Sequence, residues 1–180
     1  MSLTANGIRA DGSWRNWAGN QWSRPTRIER PSSEEEVADL VRRAGADGFR
    51  VRVVGSAHSF TGIARTDDVL VTLDDLNGLV AVDDDTGRVR VRAGTRLSAL
   101  NPMLLALGLA MENLGDIDAQ TVAGAISTST HGTGLGFRSI AAGVVGLRLV
   151  VGDGSVVVLD DDHDPGLRDV ARVGLGALGA

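Results

Sequence analysis

Residues 53–62, VVGSAHSFTG, set a histidine among side chains of almost no bulk, directly after an apolar run. Backbone N–H groups that leave a sheet edge have no strand partner, and small side chains let an oxyanion come close to them. Gly55, Ser56, Ala57 and Ser59 therefore have the makings of a pyrophosphate nest, with Val53 and Val54 as the strand that feeds it. An ordinary strand-to-loop turn would select the same residues. His58 adds an imidazole that is largely neutral near physiological pH and available as a nucleophile or ligand. A lone loop histidine is more often simply solvated. Zinc is the weaker alternative, because His58, His131 and His163 are far apart and no cysteine or HxxxH pair joins them.

The second stretch is GDIDAQTVAGAISTSTHGTG, residues 115–134, where Thr121 stands as the cap of a short helix before more glycine, serine and threonine. Two such loops in one small domain suit a ligand with two phosphates and long flat ends. Close helix–sheet packing would also select Gly124 and Ala125. Two further patterns carry no site. GLGALG at 174–179 fits a dinucleotide fingerprint but has no helix after it and no acidic ribose ligand. The run Asp160 to Asp164 lacks calcium-loop spacing and reads as a solvated turn and helix cap.

The elements that must position these loops alternate. Residues 31–48 read as a helix capped by Ser32 or Ser33, with glutamates in its first turn, an apolar stripe of Val37, Leu40 and Val41, and Gly45 and Gly48 ending it. FRVRVVG (49–55) is a strand passing from a half-exposed to a buried position. VLVTL (69–73), LVAVD (79–83) and RVRVRAG (88–94) read as a meander, with a hairpin turn at DDTG (84–87). A helix over 97–109 uses Leu97, Leu100, Leu104 and Leu107; Pro102 asks that it start near Ser98 or Ala99, and Gly108 stops it. Residues 121–129 form a short helix, 144–151 and 155–160 two strands joined by GDG, and Asp164 with Pro165 opens a last helix.

Composition excludes several chemistries. In 180 residues with 43% hydrophobic content there is no lysine, no cysteine and no tyrosine. A Schiff-base lysine, a Walker lysine, a cysteine nucleophile, a disulfide framework and a thiolate metal site all lack their essential atom. The net charge of −5, with aspartate and arginine interspersed, gives no surface for nucleic acid or an anionic membrane. No apolar run is long enough to span a bilayer and the N-terminus has no secretory core, so the expected location is the cytoplasm.

RVRVVGSAHSF (50–60) and NLGDIDAQTVAGAISTSTHGTG (113–134), in that order, closely resemble the flavin domain of the sugar-1,4-lactone oxidoreductases, near relatives of the alditol oxidases among the vanillyl-alcohol-oxidase-like flavoproteins. The resemblance runs from about Asn16 to the last residue. It implies an α+β fold: two small α/β lobes, 1–85 and 86–180, forming a p-cresol-methylhydroxylase-type FAD-binding domain. It implies that Val53 to Ser59 cradle FAD and that the histidine at the position of His58, which in this family often carries the flavin covalently through its 8α carbon, does so here. In the second motif Asp116, Thr121, Gly124, Thr128, Ser129, Thr130 and His131 would contact phosphates, ribityl chain or ring, His131 chiefly through its backbone. Gly115 falls where relatives place a small residue beside the flavin face, which would leave room for dioxygen.

Family members run to about twice this length, a two-domain size, so the resemblance implies that the C-terminal substrate domain and its acid–base groups are absent from this sequence. The reading is of the FAD-binding part of an enzyme oxidising a sugar lactone or polyol, inactive alone. The alternative is a stand-alone or degenerate module that serves as a non-catalytic interaction domain. An uncovered strand edge would favour a homodimer.

Overall fold

The computed structural model describes residues 6–180. Residues 1–5, the start of the N-terminal stretch read above as having no secretory core, lie outside them. Two-residue strands β1 (Trp14–Arg15) and β2 (Trp22–Ser23) pair antiparallel. They lead into a parallel sheet of β3 (Arg27–Glu29), β4 (Val51–Val54) and β5 (Val69–Thr72) in the order β3-β5-β4. The crossover from β3 to β4 is helix α1 (Glu34–Ala46). Ser33 Oγ accepts from the Glu36 N–H at 3.2 Å, while the Glu36 carboxylate accepts from the Ser32 N–H at 2.7 Å, a reciprocal cap of the first turn. The helix runs through Gly45, and the stop is Gly48 at φ +75°, a conformation other residues rarely adopt.

β5 corrects the expected meander. It lies between β3 and β4 and pairs in parallel with both, whereas β6 (Leu79–Asp83) pairs only with β7 (Arg88–Val91). All four β5 residues are buried. Val69 and Val71 face α1 through Val37, Leu40, Val41 and Ala44. Leu70 turns the other way, onto Trp14, Val54 and Ala57. A strand covered on both faces belongs in the middle of a parallel sheet. The hairpin that follows is only partly covered, with Val80 and Ala81 exposed.

A second core gathers helix α2 (Leu97–Ala106) and helix α3 (Val122–Ser127): Leu97, Leu100, Leu104, Ala125 and Ile140 are its buried members. α2 begins one residue earlier than Pro102 suggested, and Leu107 caps it as an exposed residue instead of joining the stripe. Strands β8 (Leu147–Val150) and β9 (Val156–Leu159) form the expected antiparallel hairpin, and helix α4 (Pro165–Ala171) is capped by Asp164. Val150 packs into the α1 cluster, and Arg148 grips Glu34 with two bonds of 2.6 Å, so the second half of the chain rests on the first. At the far end Ala180 exchanges two backbone bonds of 2.9 Å with Val150. The architecture is thus mixed α/β with small sheets, and none of its helices, among the described residues, is long and apolar enough to cross a membrane.

Candidate functional site

The first motif is an edge leaving the sheet. Val53 and Val54 finish β4, and Ala57 then takes φ 56°, in the left-handed region, with its methyl buried against Trp14, Val54 and Leu70. The N–H groups of Ser56, Ala57, His58 and Ser59 meet no acceptor among the described residues. Consecutive free amides around a left-handed residue are the geometry of an anion nest.

The second motif lies directly against it. A Cβ added at Gly55 would come within 2.5 Å of Thr121 Oγ1. Thr121, 4% exposed, caps α3 by accepting from the Gly124 N–H at 3.1 Å. The starts of α2 and α3 also hold each other. Leu97 N–H donates to Gln120 O and Ser98 N–H to Asp118 O, while Val122 N–H donates to Thr95 O and Ala123 N–H to Ala93 O, all between 2.8 and 3.0 Å. The first amides of α3 are therefore occupied, whereas those of residues 56–59 meet no acceptor among the described residues.

Beyond α3, Thr128 Oγ1 donates to Gly124 O at 3.0 Å and faces Thr130 Oγ1 at 3.3 Å. Gln120 Nε2 donates to that same Thr130 oxygen at 3.0 Å, which leaves Gln120 Oε1 buried without a partner. Ser129 is exposed at φ 54°. His131 is exposed too, its ring Nδ1 2.8 Å from Gly132 O. Gly115 packs against this turn, since a Cβ there would stand 2.9 Å from Thr130 Cγ2, and Asp116 beside it is exposed. A cavity of about 1760 Å³ has residues 53–59, Thr121 to Gly124 and Ile126 to Thr128 in its lining, together with residues of α1, β6, β7, β8 and the C-terminal stretch. Gly115, Asp116 and Ser129 to His131 are outside its lining.

Residues that the motifs do not contain complete the site. Arg96 Nη1 donates to Ser56 Oγ at 2.6 Å and to Ala119 O at 2.9 Å, and Nη2 pairs with Asp74 Oδ1 at 3.1 Å. Asp74 also accepts from Asn6 Nδ2 at 2.6 Å. One guanidinium thus ties the two motifs and the loop after β5 together. Arg96 is the N-cap of α2, a place where a cation opposes the helix dipole and no side-chain cap bond forms; with the helix start expected at Ser98 or Ala99, the sequence did not single it out. His58 is partly buried, and burial first, then the Arg96 charge, holds its imidazole below the usual histidine range. Its ring stacks on Trp17 at 5.4 Å between centroids and 20° between planes. Among the described residues no group of acidic or histidine side chains could hold a metal ion.

A family model described as "FAD binding domain" matches residues 25–160. The chain is 47% identical over 166 residues to an L-gulono-1,4-lactone dehydrogenase of Mycobacterium tuberculosis, covering 92% of this chain and 38% of the relative. It is 41% identical over 181 residues to a D-arabinono-1,4-lactone oxidase of Eremothecium gossypii, covering 98% and 34%. It is 36% identical over 166 residues to an L-gulonolactone oxidase of Mus musculus, covering 92% and 38%. The chain spans little more than a third of the length of these relatives, from 34% to 38%.

Proposed function

The chain belongs to the FAD-binding domain family, with FAD as its cofactor, and from that premise we propose that it is the flavin-holding part of an oxidoreductase acting on a sugar-1,4-lactone or alditol. The observation that carries the reading is the row of amides at residues 56–59 that meet no acceptor among the described residues, next to Gly55 in contact with Thr121 and in the lining of the same cavity. Those donors would take the diphosphate of FAD, and the Arg96 guanidinium behind Ser56 adds a positive field. Gln120, Thr128 and Thr130 supply polar atoms further along, and the buried Gln120 Oε1 awaits a donor. Gly115 would stand beside the flavin face, where the lack of a side chain would leave room for dioxygen.

Bound FAD would supply hydride acceptance at N5 and reoxidation by oxygen or another acceptor. The part of this chain is to bind, orient and shield. His58, kept neutral by burial and by Arg96, is the side chain through which the flavin would be tethered. The groups that bind the sugar and exchange its proton are not assigned to these residues, so the isolated chain is expected to show little or no lactone oxidation. Self-association through a strand edge belongs to the same reading, and light scattering that finds a strict monomer at high concentration removes it.

Acid precipitation after reconstitution with FAD is the test. Yellow colour in the pellet, moving to the supernatant in His58→Ala, is the expected outcome. Colour in the supernatant for the parent protein removes the tether but keeps the cofactor. A colourless protein that ignores added FAD overturns the reading and supports the interaction module instead.

A further inference from the structure

Trp17 is 63% exposed and Phe60 64%, yet the Trp17 indole is stacked on His58 and meets the Phe60 ring edge-on at 6.3 Å and 87°. The segment that carries Trp17 holds the histidine loop from one side only. Trp17 N–H donates to Ala57 O at 2.8 Å, Asn16 Nδ2 to Ser59 O at 2.8 Å and Asn20 Nδ2 to Phe60 O at 3.1 Å. Asn16, 1% exposed, is fixed in turn by the Gln21 N–H at 3.0 Å. Every one of these bonds takes a carbonyl. In a peptide unit the C=O and the N–H of the next residue point in opposite directions, so a grip on the carbonyls at 57, 59 and 60 turns the N–H groups of His58, Phe60 and Thr61 away from residues 16–20.

We propose that Trp17 is a positioning residue for His58: residues 16–20 grip the carbonyl side of the loop, and the indole fixes the imidazole against one face, so that the His58 amide and ring are presented together to a flavin. The proposal rests on the flavin reading above. It also explains why so large an apolar side chain stays in solvent, since the stacked ring would be lost if the indole were tucked away.

The cofactor-free protein provides the first readout. The His58 imidazole proton resonances, assigned by their disappearance in His58→Ala, are expected upfield because of the indole ring current. Trp17→Leu should return them to unstacked positions, and Trp17→Phe should keep much of the displacement. The second readout uses FAD itself, with initial binding followed by flavin fluorescence quenching on mixing. Trp17→Leu is expected to weaken that step about 2- to 12-fold, the effect of one aromatic pair, with recovery in Trp17→Phe. In the His58→Ala background Trp17→Leu should cause no further loss. Unmoved His58 resonances in Trp17→Leu, or an equal loss of binding in both backgrounds, would overturn the proposal. If no variant and not even the parent protein binds FAD, the flavin reading fails, while the resonance positions still decide whether Trp17 holds His58.

Discussion

The contact between Gly55 and Thr121 can be tested as a closed cycle. Gly55 does not lie in the left-handed region, so Gly55→Ala meets no backbone penalty, only the Thr121 oxygen 2.5 Å from the new Cβ. That oxygen is fixed by the Gly124 N–H and cannot swing aside without uncapping α3. Overpacking of this kind costs about 1–3 kcal/mol, offset by roughly 0.4–1 kcal/mol from the reduced freedom of the unfolded chain. Thr121→Ala alone loses the cap, about 1 kcal/mol. In the double variant the oxygen is gone and the nearest former threonine atom that remains, Cβ, stands at 3.6 Å, an ordinary contact. The double variant should therefore be about 0.4–1 kcal/mol more stable than Thr121→Ala, with a coupling of about 1–3 kcal/mol. Urea unfolding followed by circular dichroism measures each corner, and a loss of about 2 kcal/mol lowers the melting temperature by about 4–8 °C in a chain of this size. Additive effects, within about 0.5 kcal/mol, would show that the two motifs do not touch.

Three further outcomes follow from the same contacts. Arg96→Met should cost about 1–3 kcal/mol in urea unfolding and weaken FAD binding, because Ser56, Ala119 and Asp74 lose a shared partner; Arg96→Lys should rescue little, as an ammonium lacks the fork that spans them. Stability should fall as pH is lowered below about 6.5. The depressed pKa of His58 makes the unfolded chain bind its proton first, so the loss develops between the unfolded and the lower folded value and then levels off; His58→Asn, titrated by thermal melts, should remove that share of the slope. Gly94→Ala should fall at or beyond the upper end of the roughly 1–3 kcal/mol overpacking range, since its Cβ would sit 1.8 Å from the Leu73 carbonyl oxygen, whereas Gly152→Ala, with open space around it, should stay within about 0.5 kcal/mol of the parent in the same unfolding assay.

Local chemistry was legible along the chain. Ser33 with Glu36, Gly48, Gly108, Thr121 and Asp164 with Pro165 fix helix ends through bonds that span only a few residues, and these stand where the sequence places them. The same holds for the hairpins at 84–87 and 151–154, whose turns are chosen by their own glycines. The small-residue motifs were visible for a similar reason: a stretch stripped of side chains is conspicuous without knowing what it faces. Sheet order was not visible, because VLVTL reads alike as a meander strand or a parallel one until both of its faces are seen to be covered.

Sequence alone determined most of the helix caps and hairpin turns and which two loops are bare. Only tertiary structure decided that Thr121 closes on Gly55, that Arg96 reaches across to Ser56 and Ala119 from the start of a different helix, and that Trp17 lies on His58. These contacts join residues 40 or more positions apart in every case but one, and no local propensity encodes a partner at such range. They arise because burying both faces of β5 brings β4, α1 and the Trp14 segment together, and the loops at the strand ends follow.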